Sequence, residues 1–336
     1  MSHHITLQDV ANEVGFSRGY VSRALRSRPE VPPETQAKVV AAATKLGYRP
    51  NLVAKSLRSK KTKTIGAIIA DIDNTFYAAI VNGIEDTARE KGYSIILSNT
   101  DEDPARERAA VDLLGDKRVD GLLITPVRKQ TVELLRKKRP GIPFVVVARY
   151  FDKSIFQINY VGVDEVLGGF LATEYLIKKG HRRILYVNAP SRFLNARERL
   201  AGYKKALLQH QLEFDENLII TLPNQTMEEA YELTKKALSK KLDFTAVFAY
   251  CDFFALGAMR ALYERGFRIP EDIAVVGYDD IEFVSYLQVP LTTVHTPKYR
   301  LGKEAIELLV RIISEKSPKK SEQIMIKPML AIRKSV

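Results

Sequence analysis

Two sets of polar residues in this 336-residue chain are candidates for binding or catalysis. The first is Arg18, Gly19, Ser22 and Arg23, inside the stretch Ile5 to Arg26. Arginines on the outward side of a short helix can donate paired hydrogen bonds to guanine edges and charge-assisted ones to phosphates. The second set follows apolar strand-like runs further along: Asp71, Asp73, Asn74 and Phe76, then Ser98, Asn99 and Thr125, Arg149, Asn188, Tyr250-Cys251-Asp252 and Asp279-Asp280. Carboxylates and guanidiniums can bridge vicinal hydroxyls, and Phe76 or Tyr77 can cover a flat apolar face, so this set suits a small polar ligand such as a sugar. Polar strand ends are also what any loop would supply.

Covalent, metal and nucleotide chemistry lack their residue patterns. There is no GxxxxGK[ST], no GxGxxG after a strand, no GxSxG and no HExxH. His3, His4, His181, His210 and His295 have no metal spacing, and Cys251 is a single thiol. Asp279-Asp280 could act as a general acid and base, but no nucleophile or metal accompanies the pair. The reading is of a protein that is not an enzyme and carries no metal and no cofactor beyond a small-molecule effector.

The first set needs helices to hold it. Leu7, Val10, Ala11 and Val14 recur at helical spacing, with Thr6 and Asp9 as an N-terminal capping pattern. Gly15 allows the reversal, Ser17 can cap a second helix, and Val21, Ala24 and Leu25 can pack back on the first. A third helix follows Pro32-Pro33-Glu34, with Val39, Val40, Ala43 and Leu46 as its apolar side and Gly47 as its end. A helix bearing outward arginines and propped on another is the shape that enters a major groove. An ordinary helical hairpin with a solvated basic face would read the same locally. Charge separates the two readings: residues 1–64 hold twelve Lys/Arg against four acids, so +8 of the net +12 lies in the first fifth of the chain. A basic head on a nearly balanced body points to a polyanionic partner. Residues 48–59 then predict a short helix, too short at about nine residues to be stable in water without a partner.

From Thr64 onward, apolar strands alternate with amphipathic helices. The strands are Ile65–Ala70, Ser94–Leu97, Gly121–Ile124, Phe144–Val147, Ile184–Val187, Ala246–Phe248 and Ile273–Val276. The helices include Phe76–Lys91, Ala105–Leu114, Val166–Lys179, Leu200–Gln209 and Ala255–Arg265. Continuous apolar strands between such helices mean parallel sheets covered on both faces. The pattern restarts near Asp164, which predicts two doubly wound lobes, with ligands bound outside the carboxyl ends of the strands. The N-terminus has no apolar leader core, and no run approaches the roughly 20 apolar residues of a bilayer span. With one cysteine, a cytoplasmic protein without membrane contact is expected.

Over nearly its whole length the sequence resembles the LacI/GalR, or lactose-repressor, family of bacterial transcriptional regulators. The resemblance rests on ITLQDVANEVGFS…VSRAL, KLGYRPNLVAKSLRS, TIGAIIADIDNTFYAAIVNGIED, VDGLLI, YLIKKGHRRI, ARERLAGY, ALGAMRAL, IPEDIAVVGYDDIEF, PLTTV and a closing PMLAIR. It implies an all-α helix-turn-helix head (1–49), a hinge helix and linker (50–63) and an α/β core resembling periplasmic sugar-binding proteins (64–336). Within the core it implies an N-lobe of about 64–163 plus 295–320 and a C-lobe of about 164–294 plus 321–336. It implies a repressor of carbohydrate genes that binds a palindromic operator in double-stranded DNA as a homodimer, switched by an effector, a sugar or sugar derivative, between the lobes. A purine- or nucleoside-responsive corepressor system and a small-molecule carrier without DNA binding are the alternatives.

By the same resemblance, DNA contact falls to Thr6, Ser17, Arg18, Gly19, Tyr20, Ser22, Arg23, Asn51, Ala54 and Leu57, with Leu57 as an apolar wedge in the minor groove. Effector contact falls to Phe76, Tyr77, Arg149, Arg197, Arg199, Asp252 and Asp279. The sequence departs from the family pattern at Tyr20 (commonly Thr), Arg26 (commonly Asn), Cys251 (Asn), Ala148 (Asp in many sugar-responsive members) and Leu222 (an aromatic in some). The chain ends soon after Arg333 with no added heptad helix, so a dimer is expected rather than a tetramer.

Overall fold

The computed structural model describes residues 5–48, 61–152, 158–240, 242–315 and 320–336, and it divides into two compact units, Met1–Thr62 and Lys63–Val336. In the first unit, α1 (Leu7–Val14), α2 (Arg18–Ala24) and α3 (Pro33–Lys45) enclose Val10, Ala11, Val14, Val21, Ala24, Val31, Val39 and Ala43. Thr6 and Asp9 close a full capping box on α1: the Thr6 N–H donates to the Asp9 carboxylate at 2.7 Å, and the Thr6 hydroxyl oxygen accepts from the Asp9 N–H. Gly15 ends α1 at φ +73°, and the Ser17 hydroxyl oxygen accepts from the Tyr20 N–H at 3.3 Å to start α2. One expectation fails here. Val40 is 49% exposed, because one helical step from Val39 turns it about 100° away from the bundle; Val39, Ala43 and Leu46 carry that face. The expected hinge helix, with Asn51, Ala54 and Leu57, lies outside the described residues.

The second unit has twelve strands: β1 (Thr64–Ile69), β2 (Ser94–Asn99), β3 (Gly121–Ile124), β4 (Phe144–Val147), β5 (Tyr160–Val163), β6 (Ile184–Asn188), β7 (Ile219–Thr221), β8 (Ala246–Ala249), β9 (Ala274–Asp279), β10 (Thr292–His295), β11 (Gln323–Ile326) and β12 (Met329–Ala331). Between them run α4 (Thr75–Glu90), α5 (Pro104–Asp116), α6 (Thr131–Lys138), α7 (Glu165–Lys178), α8 (Leu194–Gln209), α9 (Met227–Ser239), α10 (Asp252–Glu264) and α11 (Lys298–Ser314). They form two six-stranded sheets, ordered β11-β5-β4-β3-β1-β2 and β12-β10-β9-β8-β6-β7, parallel throughout except where β12 runs against β10.

Both faces of the first sheet's inner strands β1, β3 and β4 are covered, which is why they read as unbroken apolar runs. Along β1, Ile65 and Ile69 face Ile80, Ile84, Leu301 and Leu309, while Ile68 faces Val111, Leu114 and Val132. The helix pairs touch at glycines. A Cβ on Gly83 of α4 would lie 2.1 Å from the Tyr299 carbonyl oxygen of α11, and one on Gly169 of α7 would lie 2.2 Å from the Arg199 carbonyl oxygen of α8.

The chain passes between lobes three times: from β5 to α7, from β10 to α11, and from β11 to β12. This corrects the expected lobe boundaries. Residues 321–336 do not all belong to the C-lobe, because β11 pairs with β5 in the N-lobe (Gln323 opposite Tyr160, Ile326 opposite Val163). Only β12 and the residues after it join the C-lobe, and β10 keeps His295 there as well. The free edge of β5 needs a ladder partner, and Ile324 and Ile326 supply the apolar alternation that packs on the N-lobe core.

Candidate functional site

On the head, Arg18, Gly19 and Arg23 are exposed on α2, and neither arginine enters an ion pair among the described residues. Ser22 is half-buried. Tyr20 is half-buried against Phe16, with ring centres 5.2 Å apart and the Arg23 guanidinium 5.7 Å above its ring. Thr6 and Ser17 spend their side-chain oxygens on helix caps, which leaves their exposed positions beside two helix N-termini, where phosphate is favoured. A Cβ on Gly19 would touch nothing in the protein.

Within the second unit a cleft of about 660 Å³ opens at the carboxyl ends of both sheets. The N-lobe lines it with Asp71, Asp73, Asn74, Phe76, Tyr77, Glu102 and Arg149, and the C-lobe with Phe193, Asn195, Arg199, Tyr250, Phe253 and Asp279. Glu165, at the first turn of α7 beside the first inter-lobe crossing, lies at its floor.

Arg199 organises that floor. It is 3% exposed, held by α8, and donates from Nε to Glu165 Oε2 at 2.7 Å and from Nη2 to Glu165 Oε1 at 3.3 Å. Its Nη1 donates to the Tyr250 carbonyl oxygen, and its guanidinium lies 3.5 Å from the Tyr278 ring centre and 4.4 Å from that of Tyr250. The Tyr278 hydroxyl donates to the same Glu165 carboxylate at 2.7 Å. Burial works against the charge on Arg199, but Glu165 and its other neighbours outweigh it and hold the group protonated.

Asp279, at the end of β9, is 3.7 Å from Arg199 Nη2, and its carboxylate makes no hydrogen bond among the described residues. Its backbone sits at φ +103°, a strained value for a non-glycine residue. Burial pushes its carboxyl up to about 7, against the pull of Arg199 and Lys298. Lys298 donates instead to the backbone carbonyls of Asp279 and Asp280.

Arg149, at the end of β4, is also buried. It donates from Nη1 and Nη2 to the two oxygens of Glu102 at 2.8 and 2.9 Å, and from Nε to the Pro126 carbonyl at 3.1 Å.

Residues 6–51 match the model for bacterial regulatory proteins of the lacI family, and residues 62–334 match that for periplasmic binding proteins and the sugar-binding domain of the LacI family. The chain belongs to the LacI family. Among its relatives, the HTH-type transcriptional repressor PurR of Vibrio atlanticus is 37% identical over 94% of both chains. The ribose operon repressor of Escherichia coli is 36% identical over 98% of this chain and 99% of that one. Among solved structures, the lac repressor dimer bound to operator and the anti-inducer ONPF superposes with a TM-score of 0.88, at 30% identity and with 99% of each chain covered. This LacI-family chain is therefore a DNA-binding transcriptional regulator with an effector-binding core, and its relatives are repressors, not enzymes. Among the described residues no helix is long and apolar enough to cross a membrane.

Of the residues that the LacI-family resemblance assigned to the effector, Phe76, Tyr77, Arg149, Arg199 and Asp279 line the cleft, and Arg197 and Asp252 do not. Arg197 sits on the same helix as Arg199 but two residues earlier, about 200° around it. It donates to the carbonyls of Ser191 and, at 2.7 Å, Phe151, so it fastens the segment after β4 to the C-lobe. Asp252 is fully buried behind the cleft wall. It accepts from the Ile281 N–H at 2.8 Å and the Thr293 hydroxyl at 2.6 Å, and burial, with Asp279 adding to it, pushes its carboxyl up to about 8. Among the other polar strand ends, Thr125 donates and accepts within the N-lobe core, Asn188 accepts from the Ala189 N–H, and Asp280 is held by His295 and Arg333. Leu222 is fully buried, and Pro223, Asn224 and Gln225 face the cleft in its place.

Sequence reasoning missed Glu102, Glu165, Phe193 and Asn195. Glu102 lies three residues beyond a strand end, so the strand-end rule reaches it if the whole loop is scanned. Glu165 follows the residue where the second lobe restarts. Phe193 and Asn195 carry no local signal, because α8 begins with an aromatic in the capping position rather than a capping side chain.

Proposed function

We propose that this regulator works in the cytoplasm as a repressor dimer on a two-fold symmetric operator, and that its effector is a carbohydrate held in the inter-lobe cleft. The observation that carries the effector reading is the Asp279 carboxylate. It faces the cleft with no hydrogen bond of its own, beside a guanidinium already engaged elsewhere, and aromatic rings from both lobes stand in the same wall. Every sugar hydroxyl can donate to such an acceptor, and a pyranose or furanose face can pack on Phe76 or Phe193.

A purine corepressor, which the likeness to PurR keeps as the second reading, would need protein donors for its ring nitrogens and carbonyl. The two buried arginines that could donate are committed to Glu102, Glu165 and backbone carbonyls. The test is calorimetric titration of the full chain with a panel of neutral mono- and disaccharides and, separately, purine bases. Saturable binding of a sugar that changes operator affinity is the expected result. Binding of a base with no response to any sugar would replace this reading with the purine one.

A further inference from the structure

The cleft contains three guanidiniums, yet it is not built to take an anion. Arg149 gives both fork nitrogens to Glu102 and its Nε to a carbonyl. Arg199 is tied to Glu165 and the Tyr250 carbonyl, with Asp279 at 3.7 Å. Arg192 is exposed and stacks on Phe193 at 4.8 Å, where solvent and salt screen its charge. Against these stand five carboxylates in the lining: Asp71, Asp73, Glu102, Glu165 and Asp279. The helix N-termini around the cleft offer little more positive potential, because most are already answered. Asn74, Asp103 and Asp164 cap α4, α5 and α7, Asp252 opens α10, and the Leu194 N–H at the start of α8 donates to the Tyr150 carbonyl at 2.9 Å.

Glu102 is the member of this set that could have been otherwise. It reaches Arg149 from the loop after β2, with its own backbone at φ +55°, and its side chain is 44% exposed toward solvent. Arg149 is 6% exposed, so removing the Glu102 charge would leave a desolvated guanidinium facing the cleft with an unused donor. That is a phosphate receptor in waiting.

We propose that this cleft selects an uncharged polyhydroxyl ligand and rejects its phosphate ester, and that Glu102 is the residue that sets this selectivity by occupying the fork of Arg149. The inference rests on the carbohydrate reading for its ligand class, but the role of Glu102 can be tested without it.

The experiment uses the full chain and its Glu102→Gln variant, which keeps the shape of the side chain and removes its charge. Each is titrated by calorimetry with D-ribose, D-glucose, their 5- and 6-phosphates, and inorganic phosphate alone. Glu102→Ala and a thermal melt of each variant guard against misfolding. In the wild type, a phosphate ester is expected to bind at least roughly tenfold more weakly than its parent sugar, and inorganic phosphate is not expected to saturate the cleft. In Glu102→Gln and Glu102→Ala, phosphate and the esters are expected to gain roughly tenfold or more, in a manner lost again in the Arg149→Met double variant. A wild type that binds an ester as tightly as the sugar overturns the proposal. So do folded Glu102 variants that exclude phosphate as fully as the wild type does. If neither sugar binds while phosphate enters only the Glu102 variants, the selectivity stands and the choice of sugar fails.

Discussion

Arg199 lines the cleft and also holds the cleft together. A ligand-only residue could be truncated at little cost to stability, but Arg199 is paired to a buried Glu165 and shielded by two tyrosines. Arg199→Met is expected to lose the effector response and, by stranding Glu165, to lose about 3–5 kcal/mol of stability. Urea unfolding and effector-dependent operator release measure the two effects. Adding Glu165→Gln should recover part of the stability but none of the response, and a single variant as stable as the wild type would show that the pair contributes nothing. Asp279 gives a prediction in pH. Its folded value, about 7, lies above its ordinary 3.8, so between those values the folded chain keeps a proton that the unfolded chain releases. Stability falls as pH rises through that window, and Asp279→Asn should flatten the fall. A sugar hydroxyl donates best to the ionised form, so sugar affinity should rise as pH passes through 7 in the wild type and stay level in the variant. Calorimetry from pH 6 to 8 reads both, and a flat wild-type profile would remove Asp279 from the binding event.

At the scale of elements, the position of Arg199 depends on how closely α7 and α8 approach. Gly169 lets the two backbones meet at the Arg199 carbonyl, where a methyl group would sit at 2.2 Å, against backbone rather than a side chain that could move aside. Gly169→Ala should therefore cost about 1–3 kcal/mol and shift Arg199 and Glu165 together, weakening effector binding while leaving operator binding in place. On α2 the opposite holds. A methyl group on Gly19 meets nothing in the protein, so Gly19→Ala should leave the melting temperature unchanged or slightly raised. A loss of specific DNA affinity in that variant would then report close approach of the duplex to the helix rather than damage to the head; a drop in melting temperature would contradict the open space seen around Gly19. The elements themselves were unevenly legible. β1, β3, β4, β6, β8 and β9 could be read because burial on both faces makes them continuously apolar, and β2, a partly buried edge strand, because Ile95, Ile96 and Leu97 follow one another. β7, β11 and β12 escaped because they are partly exposed at sheet edges, where only alternate residues need be apolar; β5 is four residues long with a glycine inside it, and β10 is buried but built on Thr292, Thr293 and His295, so it has no apolar run.

For the whole molecule, the head reads DNA, the core reads a small molecule, and linkage requires each to feel the other. If the effector changes operator affinity by some factor, operator must change effector affinity by the same factor. Titrating effector with and without operator measures this, and unequal factors would mean that a third state or a second site is involved. Selection of duplexes from a random pool at physiological salt should return two symmetric half-sites. Affinity for them should fall steeply as salt rises if, as expected, the exposed Arg18 and Arg23 meet phosphates and displace their counterions. A single asymmetric site would exclude the dimeric reading.

The two-lobe architecture, the three-helix head and the strand ends where polar groups gather were legible along the chain. These follow from local signals: caps, glycines at reversals, and apolar periodicity carried within each element. Which polar groups share the cleft depends on packing between elements far apart in the chain. Asp252, Asp279 and Asp280 look alike along the chain, yet one is buried behind the wall, one faces the ligand space, and one is pinned by His295 and Arg333. Glu102 and Arg149 are 47 residues apart and meet because the strands that carry them end on the same side of one sheet. Burial periodicity is a property of neighbours in sequence, whereas the charge balance of a cleft is a property of neighbours in space.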